Sequence, residues 1–321
     1  MAPSASLTTY LTLWYVGNYW YNIYNKNAGK LSGGASFAFT NATMQLVIGC
    51  AYAIFLWLAP DARKQPTLTL AQFMSLAPLG FFAAVAHGGA VYAMSAGAVS
   101  FGQIVKAGEP VFAAAVGYFV YKKSESVPKL ICLLPVIGGI AIASMHELDF
   151  TLASLIAAST ANVASAFRGS ENKRVMTGEL SSAIGSGGNS YALTTVWATI
   201  LLTPTVFISG EFDRMDEYLA LLRSNSTFRY NLLMSGVTFY LYNEVSTKCL
   251  TGKDGLSGVS HSVANTAKRA VVIVGSALAF GEDMGFLKSV GCTIAIAGTF
   301  LYAIADSIPG YLGFGKKAKS N

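Results

Sequence analysis

Charged side chains are scarce in this chain. Asp, Glu, Lys and Arg make up 12% of its 321 residues, and 53% of the residues are hydrophobic. An aqueous domain carries about 25% charged residues, so a globular protein bathed in water is excluded. Cysteine is sparse too. Cys50, Cys132, Cys249 and Cys292 lie far apart, in or near apolar stretches. No spacing among them fits a disulfide framework or a metal site, and they read as small buried hydrophobes. The chain opens with no basic segment and no Arg/Ser-rich leader before its first apolar run. It therefore either needs no presequence or begins after one. Catalytic signatures are missing: no Walker loop, no carboxylate pair in a soluble segment, no Gly-rich turn after a strand. No enzyme activity, cofactor or metal is expected, and ATP hydrolysis is not indicated. A net charge of +6 suits nucleic acid when the cations share one face. Here they are spread over loops and a few apolar stretches, so no nucleic-acid partner is expected.

What is abundant is apolar sequence in long runs. They fall at roughly 8–25, 35–59, 69–96, 99–121, 128–146, 150–169, 188–209, 229–250, 256–280 and 286–310. Each is near the roughly 20 residues that carry a helix across a bilayer. Helices are expected because lipid offers backbone groups no other partner. The 32 glycines are dispersed through these runs, where they allow close helix packing. The fold expected is all-α and integral to the membrane, with ten transmembrane helices. The link 96–99 forces the third and fourth spans into a tight hairpin.

An even number of spans puts both termini on one side. The loops of that side hold twelve Lys and Arg against five Asp and Glu; the opposite loops hold six against eight. The richer side should face the compartment from which insertion is made.

Four cations remain inside the apolar runs: Lys106, Arg168, Lys268 and Arg269. Only Glu109, Glu244 and Asp306 are acids at comparable positions, so structural pairing cannot neutralise every cation. Lys268 is the thirteenth residue of a 25-residue run, Leu256 to Phe280. A cation at that depth costs about 2.5–3.5 kcal/mol even on insertion scales, and usually faces a water-filled pathway. Ser262-x-x-Asn265-x-x-Lys268 echoes Ser100-x-x-Gln103-x-x-Lys106, 162 residues earlier. The two lysines stand five spans apart, an odd number, so the halves would have opposite topology. Two inverted five-helix repeats follow, divided at 1–148 and 149–321, with a ligand near their interface. A duplicated, buried, cationic site fits a transporter of anions.

Each candidate has a plainer reading. Lys106 lies about 10 Å into its span at 1.5 Å per residue, and could snorkel or pair with Glu109 at i+3. His87 sits about 12 Å from the end of the third span by the same rise, which puts it level with Lys106 across the hairpin. It is either a satisfied polar residue or a group that favours a phosphate dianion. Arg168 follows Phe167 near the end of the sixth span and could be interfacial. Tyr242, Asn243 and Glu244 form a polar cluster that could bind an anion or bond between helices. Lys268 and Arg269 resist a structural reading best. Arg offers a planar fork and Lys a point charge, both suited to phosphate oxygens. His146 and His261 lie near span ends and receive no role.

Four segments carry a resemblance: His87-Gly-Gly-Ala-Val-Tyr92, Val105-Lys-Ala-Gly-Glu-Pro-Val-Phe112, Tyr242-Asn-Glu244 and Ala264-Asn-Thr-Ala-Lys-Arg269. They resemble the plastidic phosphate translocators, in particular the triose-phosphate/phosphate translocators of the drug/metabolite transporter superfamily. The resemblance implies ten helices in two inverted halves. It implies strict exchange of inorganic phosphate for a phosphorylated three-carbon metabolite (triose phosphate, 3-phosphoglycerate), with phosphoenolpyruvate or a larger sugar phosphate also in range. It implies that Lys106, Lys268 and Arg269 bind phosphate, that His87 and Tyr242 line the same pocket, and that Arg168 reaches the substrate from the sixth span. The setting it implies is a plastid inner envelope, with the termini in the stroma and a monomeric carrier.

Three departures stand out. Residues 251–258 look longer than the usual connection and lack its proline. Ala90 stands where many members carry a hydroxyl, and Ser165 where triose-phosphate members tend to have an aromatic. The last two bear on pocket size, so the organic substrate stays open. A nucleotide-sugar carrier of the same superfamily and a non-transporting scaffold are the alternatives. The buried cations disfavour a scaffold, which gains nothing from their cost.

Overall fold

The computed structural model describes residues 7–145, 151–250 and 258–307. Regular structure in these residues is helical throughout. The helices are α1 (Leu7–Leu31), α2 (Ala38–Leu58), α3 (Leu70–Met74), α4 (Ala77–Ala96), α5 (Val99–Ala107), α6 (Glu109–Phe119) and α7 (Val127–Met145). They continue as α8 (Leu152–Thr177), α9 (Leu180–Ile184), α10 (Gly187–Ile208), α11 (Met215–Ser224), α12 (Ser226–Leu250), α13 (Gly258–Phe280) and α14 (Phe286–Ile304).

Six segments, 34–58, 70–96, 127–145, 187–208, 261–280 and 286–304, are long and apolar enough to cross a membrane. The other long helices carry polar groups instead. Asn18, Asn22 and Asn25 lie along α1, Arg168 to Arg174 hold four charges on α8, and Asn231, Asn243 and Glu244 interrupt α12. Buried polar groups need partners, and those of α1 find them. Gln103 donates to Asn22 at 2.8 Å and Gln45 to Asn25 at 2.6 Å, which ties α1 to α5 and α2.

The helices pack in a repeating pattern. α1 lies on α12 and α4 on α8; α2 packs on α12 and α10 on α4. α2 meets α10, α5 meets α13, and α7 pairs with α14. At that last contact glycine has no substitute. A Cβ on Gly139 would sit 2.4 Å from the Ala295 nitrogen, and one on Gly291 would sit 2.6 Å from the Ala143 nitrogen. The backbones therefore touch, as small residues permit in lipid.

The apolar run 99–121 is not one rod. It breaks at Gly108, with Pro110 in the first turn of α6, because proline cannot donate into the preceding turn. The carbonyls freed at the end of α5 are taken up by neighbours. Asn162 donates to Val105 at 2.8 Å and Thr299 to Ala107 at 2.9 Å. At the other end, the Glu282 carboxylate accepts from the Val99 and Ser100 amides at 2.8 and 3.0 Å. Glu211 does the same for Phe39 and Thr40 at the start of α2, at 3.0 and 2.7 Å. Acids beside helix N-termini complement the exposed amides and the helix dipole.

Some loop assignments change. α8 runs eight residues beyond 169, because its last two turns are polar and carry no hydropathy signal. Three cations read as loop residues are tied into the bundle. Arg63 pairs with Glu244, Lys26 bonds the Met94 carbonyl at 2.9 Å, and Lys288 is 2% exposed and bonds the Asp283 carbonyl at 3.0 Å. Most of the connection 251–258, with Lys253 and Asp254, lies outside the described residues, as do His146, Lys316, Lys317 and Lys319.

Candidate functional site

A cavity of about 80 Å³ opens between α4, α8, α10 and α12, with Lys106 reaching in from α5. That is room for a few waters or a small anion. His87, Lys106, Arg168 and Tyr242 all line it. The hairpin at 97–98 explains the first two: it folds α5 back beside α4, so residues at similar depths face each other. His87 is buried, with Nε2 3.2 Å from the Ala42 carbonyl oxygen and its ring 4.1 Å from that of Phe239. Tyr242 is 9% exposed and packs against Tyr21 at 5.5 Å and Phe239 at 5.9 Å. Arg168 reaches the cavity from well inside α8. Its neighbour Phe167 stacks on Phe82 at 4.7 Å with an interplanar angle of 9°, which turns that ring aside.

Lys268 and Arg269 do not line the cavity, and their side chains part. The Lys268 ammonium lies 4.6 Å from the ring centroid of Trp14 and 5.6 Å from that of Tyr242, within cation–π range of both. One cavity-lining ring thus separates it from the open space. Trp14 is held in turn by His261, whose ring stacks on it at 4.7 Å. Arg269, 8% exposed, pairs with Glu109. Glu109 does not pair with Lys106, as the i+3 spacing allowed. The break at Gly108 puts the two in different helices, and i+3 neighbours meet only within one.

The pairing pattern sets the local charge. Glu109 takes Arg269, Glu244 takes Arg63 and Lys248, and Asp306 takes Lys129. Among the described residues Lys106, Arg168 and Lys268 have no acid within ion-pair distance. Three cations around one small cavity make a site that attracts anions, and low surrounding polarity strengthens the attraction. Among the described residues no three His, Cys, Asp or Glu side chains gather to hold a metal.

Three lining residues carried no motif: Tyr191, Thr194 and Thr195 form one wall from α10. Asn243, from the polar cluster beside Tyr242, lines the cavity too, as do Ala90 and Ser165, the two small residues expected to bear on pocket size. The α10 stripe has a sequence signal, hydroxyls at i, i+3 and i+4 in an apolar helix, which marks one face. Trp14 had none, since an aromatic in an apolar run is ordinary.

Comparison with known proteins agrees with this architecture. The chain is 31% identical over 306 residues to the chloroplastic glucose-6-phosphate/phosphate translocator 2 of Arabidopsis thaliana, covering 95% of this chain and 76% of that protein. It is 31% identical over 315 residues to the chloroplastic xylulose 5-phosphate/phosphate translocator of the same plant, covering 95% and 72%. It is 28% identical over 305 residues to the chloroplastic triose phosphate/phosphate translocator of Spinacia oleracea, covering 94% and 72%. One solved crystal structure of a protein overlays with a TM-score of 0.53 at 11% identity, over 92% of this chain and 98% of that one, a likeness of fold alone. The family model for the Triose-phosphate Transporter family matches residues 5–303. The chain belongs to the Triose-phosphate Transporter family.

Proposed function

We propose that this protein exchanges inorganic phosphate for phosphorylated small metabolites across a plastid inner envelope membrane, by alternating access. The observation that carries the reading is the set of three cations without acid partners, Lys106, Arg168 and Lys268, in and beside one small cavity. Such charge is costly in a membrane and is used when an anion arrives. Lys106 and Lys268 bind the phosphate group, joined by Arg269 when the ligand competes with Glu109. His87 and Tyr242 complete the pocket, and Arg168 addresses the organic part. Three-carbon phosphates are within range, and the small Ala90 and Ser165 leave space for larger sugar phosphates. The relatives named for glucose 6-phosphate and xylulose 5-phosphate support that breadth.

Ten membrane helices in two inverted halves, 1–148 and 149–321, complete the reading, with both termini in the stroma and the carrier a monomer. The halves correspond as α1 with α8, α2 with α10, α3–α4 with α12, α5–α6 with α13, and α7 with α14. Exchanging them maps the α1–α12 contact onto α8–α4 and the α2–α12 contact onto α10–α4. The α2–α10, α5–α13 and α7–α14 contacts map onto themselves. A pseudo-two-fold relation of this kind places substrate at the interface of the repeats.

The test is uptake of labelled phosphate into liposomes preloaded with phosphate, triose phosphate, 3-phosphoglycerate or glucose 6-phosphate. Exchange is expected with at least one organic phosphate. Uptake that ignores the internal anion would overturn the reading.

A further inference from the structure

Tyr191 is held firmly, and its hydroxyl makes no hydrogen bond of normal geometry. Its ring packs on Tyr240 at 5.1 Å, and Tyr240 is fully buried against Tyr52. The hydroxyl oxygen is buried without a hydrogen-bond partner among the described residues. The protons of the hydroxyls beside it are already committed, and Thr195 is the one neighbour near enough to contest the phenol. Thr195 donates to the Tyr191 carbonyl at 2.8 Å and Thr194 to the Ser190 carbonyl at 2.7 Å. A buried polar group left unbonded bears its full desolvation cost, and in a native protein such a group calls for a reason. The unfilled space beside Tyr191 is the cavity it lines.

Its place within that cavity narrows the reason. Lys106 lies within electrostatic reach of Arg168, Arg269 and Glu109. Tyr191 lies within reach of Arg168, Tyr242 and Tyr240. Arg168 is common to both sets, yet Lys106 and Tyr191 are absent from each other's; the lysine enters the cavity from α5 and the tyrosine lines it from α10. An anion drawn to the lysines sits away from the phenol. A longer ligand, anchored there by its phosphate, extends toward Tyr191.

We propose that Tyr191 determines specificity for the non-phosphate end of the substrate, its phenol hydrogen-bonding a carbonyl, hydroxyl or carboxylate oxygen there. Inorganic phosphate makes no use of it. This rests on the exchange reading above and refines it. A site with a buried hydrogen-bonding group discriminates strongly against an analogue that leaves the group unpaired.

The experiment compares Tyr191→Phe with the wild type in liposomes loaded with phosphate. Three external substrates are used: labelled phosphate, dihydroxyacetone phosphate, and n-propyl phosphate, which has the same carbon count without the organic oxygens. Wild type is expected to prefer dihydroxyacetone phosphate to n-propyl phosphate. In Tyr191→Phe that preference, read as the ratio of kcat/KM values, falls about tenfold, the size of one hydrogen bond. Phosphate–phosphate exchange stays within about twofold. The melting temperature of the variant stays at or above that of wild type, since a buried hydroxyl without a normal hydrogen bond has been removed. An unchanged preference ratio overturns the inference. Equal loss for all three substrates makes Tyr191 a structural residue and also overturns it. A wild-type protein unable to exchange phosphate would sink the exchange reading itself, and this refinement with it.

Discussion

Arg269 and Glu109 are 160 positions apart in the sequence and joined by an ion pair. The bond ties α13 to the first residue of α6. Lys268, the next residue in the chain, has no carboxylate and rests on the rings of Trp14 and Tyr242. Two adjacent cations therefore sit in different environments, and their removal has different consequences.

Arg269→Ala is expected to cost about 1 kcal/mol of stability, because it strands the Glu109 carboxylate; that figure is discounted because the Glu109 side chain is 35% exposed. Lys268→Ala and Lys106→Ala should hold or raise the melting temperature, since each removes a half-buried cation that has no acid partner. All three should nearly abolish exchange. Adding Glu109→Gln to Arg269→Ala should restore stability and leave transport dead. Thermal unfolding and liposome uptake of the four variants provide the check, and wild-type rates in monodisperse Lys106→Ala or Lys268→Ala would remove those residues from the site.

Internal counter-substrate should be obligatory. An empty pocket lined by Lys106 and Arg168, with Lys268 behind the Tyr242 ring, resists crossing from one orientation to the other until an anion neutralises the charge. Phosphate uptake into vesicles loaded only with gluconate should be near background. Comparable rates in loaded and unloaded vesicles would argue for a channel or uniporter.

Phosphate and three-carbon phosphates should stabilise the protein by mass action, about 2.7 kcal/mol at a concentration one hundred times Kd. Sulfate should stabilise less if the pocket prefers an ion that can still donate a hydrogen bond, and chloride least. A thermal-shift series at constant ionic strength reads this directly. Equal shifts from chloride and phosphate would mean screening rather than binding.

Ser165→Phe should narrow the substrate range. Ser165 borders the cavity on the face shared with Arg168, and a ring there fills space that a sugar needs. Competition by hexose and pentose phosphates against labelled phosphate should weaken by about tenfold, on the scale of 1–3 kcal/mol for pocket-size discrimination, while competition by dihydroxyacetone phosphate persists. Parallel loss of all competitors would show a collapsed pocket instead.

Gly139→Ala should destabilise the α7–α14 contact. Its Cβ would fall 2.4 Å from a backbone nitrogen, and neither backbone can yield as a side chain could. Overpacking of this kind costs about 1–3 kcal/mol or more. A melting temperature equal to wild type would show that α14 can retreat freely.

The family and the membrane-type helical composition were legible because both are written in contiguous sequence. Hydropathy is a local sum, so apolar runs disclose themselves, and the Lys106 and Lys268–Arg269 segments are short motifs. What stayed hidden was relational. The run 99–121 looks continuous by apolarity, and only Gly108 and Pro110 report the break that separates Lys106 from Glu109. Arg63, Lys26 and Lys288 look like loop cations because their partners, Glu244 and three backbone carbonyls among them, come from packing. The polar end of α8 carries no hydropathy signal. Tyr191 escaped notice because a tyrosine on an apolar helix gives no hint that its hydroxyl will be buried without a normal hydrogen bond.

The break between α5 and α6 bears on how Lys106 survives between substrates. In an unbroken rod this lysine would sit mid-helix, where the backbone offers a cation nothing. The break makes it part of a helix end, in the last turn of α5. A helix terminates in aligned carbonyl dipoles with their negative ends outward, and a cation there gains about 0.3–1 kcal/mol. A carboxylate partner would give more, but it would hold the ammonium and have to be displaced at every turnover. The dipole end cannot leave or be exchanged, and it occupies none of the ammonium's three donors. A kink in the chain thus lets a lysine wait in the membrane already charged and still unoccupied.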